Sequence, residues 1–177
     1  HITGVVVSGT YAATSIMATD GLYQVLQESV VGNHDELSHI WRMNLPAGTS
    51  HTFLVAGYRV DGGDADGGFT FSYATTSGGP YNVMGTMTNT SLATPSNWWS
   101  IPSSISGTVY IRVEDNNRTT GNQSPDTVYI DSIYVMTELT VSPYIMGDGR
   151  AGYPYGTGTD LGMYGSSHVG VLGAIVT

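Results

Sequence analysis

Short segments in which apolar and polar residues alternate recur along this chain, and their period of two limits the fold more than any other feature. The clearest are HTFLVAGYRV, FTFSYA, VYIRV and VYIDSIYV, at residues 51–60, 69–74, 109–113 and 128–135. Alternation turns one face of a strand to a core and the other to solvent. No window of adequate length repeats at the helical period, so these segments predict β-strands.

Further strands are predicted between clusters of Gly, Pro, Asn, Asp and Ser, at residues 4–8, 22–28, 37–43, 81–88 and 98–101. Only 11% of the residues are charged and 24 are Gly, a composition that favours short strands and turns. Because no helix is available to cover the apolar faces, two sheets must pack on each other. The predicted fold is all-β, an antiparallel β-sandwich of the jelly-roll type.

The composition changes after Glu138, which separates a predicted β-sandwich domain, residues 1–138, from a Gly- and Tyr-rich C-terminal extension, residues 139–177. The extension ends in VGVLGAIVT, a run that is apolar on both faces and needs a partner. Either this run adds an edge strand to its own sandwich, or it completes the sheet of a neighbouring copy, as TGVVVS can near the N-terminus. The side chains predicted at such a subunit interface are Val169, Val171, Leu172, Ile175, Val5 and Val7.

The charge of the chain excludes several classes of partner. All five basic residues are Arg, and with 14 Asp and Glu the net charge is −9, which opposes binding to nucleic acid and to anionic lipid. The chain contains no Cys, so disulfides, thiolate nucleophiles and zinc–thiolate sites are excluded. No stretch approaches the length of a membrane-spanning apolar helix, so no membrane span is predicted.

Three acceptor tripeptides for N-glycosylation lie in turn-like contexts, at Asn89, Asn117 and Asn122. The sequence opens at His1 without the pattern of a signal peptide, which suggests a mature form or a fragment. Together with the acidity and the absence of Lys and Cys, these features predict an extracellular or cell-surface glycoprotein. An acidic cytoplasmic domain is the alternative.

The stretch VDGGDADGGFTFSY places Asp61, Asp64 and Asp66 among glycines just before a strand. Three carboxylates this close repel one another at pH 7 unless a cation compensates, and the glycines let the loop curl so that its oxygens converge. The loop predicts a calcium site, although its spacing is not that of an EF-hand. A solvated acidic turn is the alternative.

A second calcium site is predicted from Glu28, at the end of LYQVLQE, from Asp131, within VYIDSIYV, and from Asp20. Asp131 lies in mid-strand, where an uncompensated carboxylate suffers a large desolvation penalty. The alternatives are an ion pair with Arg42 or Arg112 and an Asp131 that is held by hydrogen bonds alone.

Trp98 and Trp99 are the best candidates for stacking on a sugar ring. Adjacent residues of a strand point to opposite faces, so one indole is expected in the core and the other at the surface. The exposed ring is interpreted as a carbohydrate-binding platform. A side chain at the edge of a loop and a contact between subunits are the alternatives.

Motifs of catalysis are missing from the sequence. It has no GxSxG elbow, phosphate-binding loop or dinucleotide fingerprint, and no Lys for a Schiff base. The stretch HDELSH, with His34 and His39, is not the HExxH zinc motif, and a copper site at His1 has no other support. The chain is therefore predicted not to be an enzyme.

Three stretches, TSIMATDGLYQVLQES, DGGDADGGFTFSYATTSGG and SGTVYIRVEDNNRTTGNQSPDTVYIDSIYV, together resemble the galactose-binding-like domains and carbohydrate-binding modules of secreted and surface proteins of bacteria and archaea. The resemblance covers roughly residues 11–138. It implies a calcium-stabilised jelly roll without catalytic activity, in which Asp131 and Glu28 help to hold a buried cation. It also implies that the polar loop at 114–126 is structural.

The leading functional prediction is a non-enzymatic, extracellular structural subunit. It polymerises with copies of itself into a filament or surface layer through its terminal strands. The alternative is a carbohydrate-binding or adhesive module of a secreted protein, with a polysaccharide as its partner. Calcium is the cofactor predicted in both cases.

Overall fold

The computed structural model describes residues 3–9, 20–63, 67–92 and 97–139, and the backbone of residues 169–173. These residues form strands, turns and loops, and none of them is helical. Their strands pair antiparallel in every ladder. The all-β class that the alternation predicts is therefore confirmed.

The strands, numbered in chain order, are β1 (Val5–Ser8), β2 (Gln24–Gln27), β3 (Ser29–Val31), β4 (His34–Glu36), β5 (Ser38–Leu45), β6 (Ser50–Val60), β7 (Phe69–Ala74), β8 (Asn82–Met87), β9 (Asn97–Ile101), β10 (Gly107–Asp115), β11 (Thr127–Leu139) and β12 (Val169–Gly173). Every predicted segment overlaps one of these strands. The hairpin of β3 and β4 is not predicted, because strands of three residues are too short to display a period.

The larger sheet has the strand order β1-β2-β11-β6-β9, and β12 adds to it beside β11. Strand β11, with 13 residues, lies at its centre, because it pairs with β6 along most of its length, with β2 at its start and with β12 at its end. The smaller sheet has the order β5-β10-β7-β8, and β3 and β4 form a separate hairpin. Both β1 and β12 therefore belong to the larger sheet.

The two sheets bury their apolar faces on each other, in the manner of a β-sandwich. Phe53 of the larger sheet and Phe71 of the smaller sheet have ring centroids 5.8 Å apart. Burying such a side chain fully stabilises the fold by about 1.5–3 kcal/mol. A buried hydrogen bond also joins the sheets, since Nε1 of Trp41 in β5 donates to Oε1 of Gln24 in β2 at 2.9 Å. Other fully buried core side chains are Leu26, Leu37, Met43, Phe69, Ile111, Ile130 and Ile133.

The chain crosses between the two sheets just before β1. Thr3 exchanges two backbone hydrogen bonds with Ser38 of β5, each 3.1 Å long, whereas Val5 already faces Gln27 of β2. Gly4 lies at the crossing with a φ of 89°. Residues 3–8 therefore close one side of the sandwich, between β2 and β5.

Candidate functional site

Glu28 and Asp126 face each other where β2 ends and β11 begins. The Glu28 backbone N–H donates to the Asp126 carbonyl oxygen at 3.0 Å, and the Asp126 backbone N–H donates to Oε2 of Glu28 at 2.6 Å. The adjacent ladder pair, Gln27 and Thr127, fixes this arrangement. The Glu28 carboxyl is thereby held in the interior, with only 2% of the residue exposed.

Asp35 and Asp115 bring two more buried carboxyls to the same region. Asp35 lies in β4 and is positioned by a hydrogen bond of 2.8 Å from its backbone N–H to the carbonyl oxygen of Asn122. Asp115 is the last residue of β10. We call Glu28, Asp35, Asp115 and Asp126 the carboxyl cluster. Sequence reasoning names only Glu28 of the four, because the others come from three separate segments.

Burial raises the pKa of Glu28 to about 9, against an ordinary value of 4.5. The hydrogen bond from Asp126 opposes this rise, whereas the charges of Asp115, Asp126 and Asp35 add to it. Arg59 compensates Asp126, with 2.9 Å between its Nη1 and Oδ2 of the carboxylate. At pH 7 Glu28 is therefore protonated in the absence of a bound cation. Carboxylate oxygens are the ligands that calcium prefers.

Asp131 is fully buried at a bulge of β11 between Ile130 and Ser132. Its Oδ1 accepts a hydrogen bond from the Gly21 N–H at 3.0 Å, and its Oδ2 has no hydrogen-bond partner in the described part of the chain. Asp20 is exposed in the adjoining turn. A buried carboxylate oxygen without a donor carries a large desolvation penalty, which a bound cation or a proton relieves.

The structure does not bring Glu28 and Asp131 together. In the ladder of β2 and β11, Glu28 lies just beyond the first pair and Asp131 just beyond the last. The arginines considered as partners of Asp131 are placed elsewhere: Nη2 of Arg112 lies 2.6 Å from Glu114, and Arg42 is exposed on β5. The two acids predicted as one site are therefore in two different environments.

The glycine-rich acidic loop is described only in part. Oδ1 of Asp61 accepts a hydrogen bond from the Gly63 N–H at 2.8 Å, and its Oδ2 lies 3.6 Å from Nη2 of Arg59. Asp64 and Asp66 lie outside the described residues. Within the described ranges, no three His, Asp or Glu side chains are arranged to hold one metal ion. Calcium at this loop stays a prediction.

Trp98 and Trp99 point to opposite faces of β9, as the alternation predicts. Trp99 is half-buried, with its ring 5.5 Å from Phe71 and 6.2 Å from Phe53, so it belongs to the core. Trp98 is 61% exposed on the outer face of the larger sheet. Of the two indoles, only that of Trp98 is available to a ligand or a partner.

A second aromatic group lies on the same outer face. Tyr58 of β6 and Tyr129 of β11 are directly paired, and their rings stack with centroids 4.7 Å apart and planes at 1°. Tyr23 meets both rings edge-on. The sequence does not reveal this group, because the proximity of the tyrosines depends on the register of β6 against β11.

The three predicted glycosylation acceptors differ in environment. Asn122 is buried, and its amide nitrogen donates to the carbonyl oxygen of Asn117 at 3.0 Å. The amide nitrogen of Asn89 donates to Gly57 and to Ser91, at 2.6 and 2.8 Å. Asn117 is half-buried and its Oδ1 accepts a hydrogen bond from the backbone of the same loop. A glycan on Asn89 would displace a hydrogen bond of the folded chain, because the amide nitrogen already donates both of its protons.

Both terminal strands pair within this chain. Val5 and Val7 of β1 are 47% and 54% exposed, although β1 is hydrogen-bonded to β2. Strand β12 pairs with β11 so that Val169 faces Leu139. The side chains of Val169, Val171 and Leu172 are not among those described, and Ile175 lies outside the described residues.

The described histidines that were considered as metal ligands, His34 and His39, lie in different environments. His39 is buried edge-on against Trp41, and burial lowers its pKa to about 4, so it is neutral at pH 7. His34 lies 4.0 Å from Glu36 in β4. His1 lies outside the described residues.

No family model matches the chain, and neither a curated protein nor a solved structure matches it. Among the described residues, no helix has the length and apolar character needed to cross a membrane.

Proposed function

We propose that this chain is a non-enzymatic, extracellular structural subunit that polymerises into a filament or surface layer through its terminal strands. The placement of β12 carries the proposal. Val169 faces Leu139 directly, yet residues 140–168 connect them, whereas about two to five residues suffice to join adjacent antiparallel strands. A connection of this length can reach a neighbouring subunit, so the same ladder can form between two copies.

The exposed valines of β1, near the N-terminus, also support polymerisation. Three consecutive valines on a strand that closes one side of the sandwich form an apolar edge of the kind that recruits another strand. A subunit that engages neighbours head-to-tail through two different ends forms an open chain of copies. Two different ends therefore favour a polymer over a closed dimer.

The first test uses the absence of native cysteine. In the double variant Met136→Cys and Leu172→Cys, the thiols occupy facing positions of β11 and β12. Strand exchange between copies gives a ladder of disulfide-linked chains on a non-reducing gel, together with fibres in electron micrographs. The single variant Met136→Cys is the matched control, because it gives dimers at most. Monodisperse particles with only intrachain disulfides would overturn the proposal.

We also propose that the two sheets form a calcium-stabilised jelly roll of the galactose-binding-like kind. Support comes from the buried Oδ2 of Asp131, which has no hydrogen-bond partner among the described residues. A ligand that binds only the folded state stabilises it by about 2.7 kcal/mol at a hundred times its dissociation constant. Excess chelator should therefore lower the melting temperature. The variants Asp131→Asn, Glu28→Gln and Asp61→Asn assign the effect of chelator to one site, because the variant that lacks the site should no longer respond. A melting temperature that chelator leaves unchanged in the parent protein and in all three variants contradicts calcium binding.

A second candidate function is carbohydrate binding or adhesion, which the 61% exposure of Trp98 favours. An indole on an open sheet face can stack on a sugar ring. In affinity electrophoresis through gels that contain neutral polysaccharides, Trp98→Ala should lose the retardation of the parent protein. Ser100→Ala, an exposed change two residues along the same strand, is the matched control. Equal mobility of the parent protein with and without polysaccharide argues against this function.

A further inference from the structure

Strand β1 is bounded by two glycines that its surroundings require. A Cβ at Gly4 would lie 2.5 Å from Cδ1 of Leu37 and 2.6 Å from the carbonyl oxygen of Gln27. A Cβ at Gly9 would overlap the carbonyl oxygen of Tyr23. Both glycines also have a positive φ, of 89° and 79°, which other residues rarely adopt. Any segment seated here therefore needs glycine at both positions.

We call the place where β1 lies the acceptor groove; its walls are β2 and Ser38 of β5. Thr3 bonds to Ser38 through its backbone, and the ladder with β2 then pairs Val5 with Gln27 and Ser8 with Val25. A bulge between β1 residues 6 and 8 fixes the register of the ladder. A segment that binds in the groove must therefore form these main-chain hydrogen bonds and carry glycine at the positions of Gly4 and Gly9.

The side chains of β1 contribute little to holding it in place. All four residues of the strand are exposed, with Val6, the least exposed of the three valines, at 38%. Because few apolar contacts anchor the strand, it belongs to the part of the fold that opens most readily. The main-chain bonds that hold it are available in the same geometry to an identical segment from another copy.

The segment at residues 3–9 is uncharged, which suits insertion into a second copy that carries the same negative net charge. Residues 3–9, TGVVVSG, carry no charged side chain, in a chain whose net charge is −9. Inserting this segment into another copy therefore adds no charge to the repulsion between the two. The connection at 9–23, at about 3.4 Å per extended residue, reaches roughly 50 Å, which is enough to pass from one subunit to the next.

We propose that the acceptor groove receives residues 3–9 of a second copy of this chain, and that Gly4 and Gly9 select this segment. The inference rests on the proposed polymerisation and names the strand and the site that perform it. The C-terminal run at 169–177 is a poor substitute, because Gly170 and Gly173 are three residues apart rather than five.

The experiment mixes two single-cysteine chains, Val5→Cys and Gln27→Cys. Each has one thiol, since the native chain has no cysteine, and the two positions face each other in the ladder of β1 and β2. Exchange should make the mixed disulfide the main crosslinked product under assembly conditions, at least fivefold above either symmetric dimer. Mass spectrometry of the linked peptides identifies each species.

Substitutions in the donor chain then test the selection by glycine. Adding Gly9→Ala to the Val5→Cys chain should lower the mixed disulfide at least tenfold. Gly78→Ala, at an exposed glycine outside the segment where an added Cβ meets no atom within 4 Å, is the matched control and should leave the yield unchanged. Tryptophan fluorescence of each variant, which includes emission from the core indoles of Trp41 and Trp99, verifies that the body of the protein is folded.

The outcomes separate this inference from the polymerisation on which it rests. Fibres without the mixed disulfide overturn the inference and leave polymerisation to β12. Neither fibres nor mixed disulfide overturns both. Equal yields with Gly9→Ala and Gly78→Ala refute the selection by glycine while keeping the exchange.

Discussion

Replacing Glu28 by Gln tests the electrostatic account of the carboxyl cluster. The folded chain holds a proton on Glu28 up to about pH 9, whereas the unfolded chain releases it near 4.5. Between these values the folded state binds more protons, so the free energy of unfolding falls as the pH rises. Gln has nearly the same size, stays neutral at every pH and still accepts the hydrogen bond from the Asp126 N–H.

The size of the change in stability follows from the pH range between the pKa of Glu28 in the unfolded chain and its pKa in the folded chain. One pKa unit corresponds to about 1.4 kcal/mol, so Glu28 alone removes about 4 kcal/mol of stability between pH 5 and pH 8. The contributions of the other ionisable groups, which the two proteins share, largely cancel when the variant is compared with the parent protein. The stability of Glu28→Gln relative to the parent should therefore rise by about 4 kcal/mol over three pH units.

Urea unfolding in chelator at pH 5, 6, 7 and 8 measures this difference directly. Glu138→Gln, at a partly exposed position near the end of β11, is the matched control and should follow the parent protein at every pH. Parallel pH profiles for the parent protein and Glu28→Gln would show that Glu28 is ionised in the fold, and the account of burial would be wrong.

Three further changes test the packing of the sandwich, with stability measured in each case by urea unfolding. Gly85→Ala should destabilise the fold by about 1–3 kcal/mol, because its Cβ would overlap the indole of Trp99. Arg59→Ala should cost about 3–5 kcal/mol, since it leaves the buried carboxylate of Asp126 without its cation. Trp98→Ala should change the stability by less than about 0.5 kcal/mol, because the ring is mostly in solvent; a larger loss would mean that it packs against the fold.

The bounds of a strand were predictable where the alternation of apolar and polar residues ends at the same place as the strand. Strand β7 has the bounds of the predicted segment at 69–74, because FTFSYA alternates clearly and glycines and serines flank it. Strand β11 runs to Leu139, four residues past its predicted end, because pairing with β6 and β12 continues beyond the alternating run. The opposite orientations of Trp98 and Trp99 also followed from the period of two.

The site was less predictable, because it depends on how distant segments are paired. Glu28 and Asp131 are both buried acids, but only the register of β2 against β11 shows that they lie at opposite ends of that ladder. Asp35, Asp115 and Asp126 meet Glu28 through contacts between a hairpin, a strand end and a loop. The periodicity of the sequence does not predict that these four side chains lie close together.

The central position of β11 constrains how the chain can fold while it is being made. Ribosomes release the polypeptide from its amino terminus, so β2 and β6 emerge before the strand that must lie between them. Until residue 139 has left the exit tunnel, the larger sheet is split and its apolar face is uncovered. Nascent chains shorter than this should remain protease-sensitive.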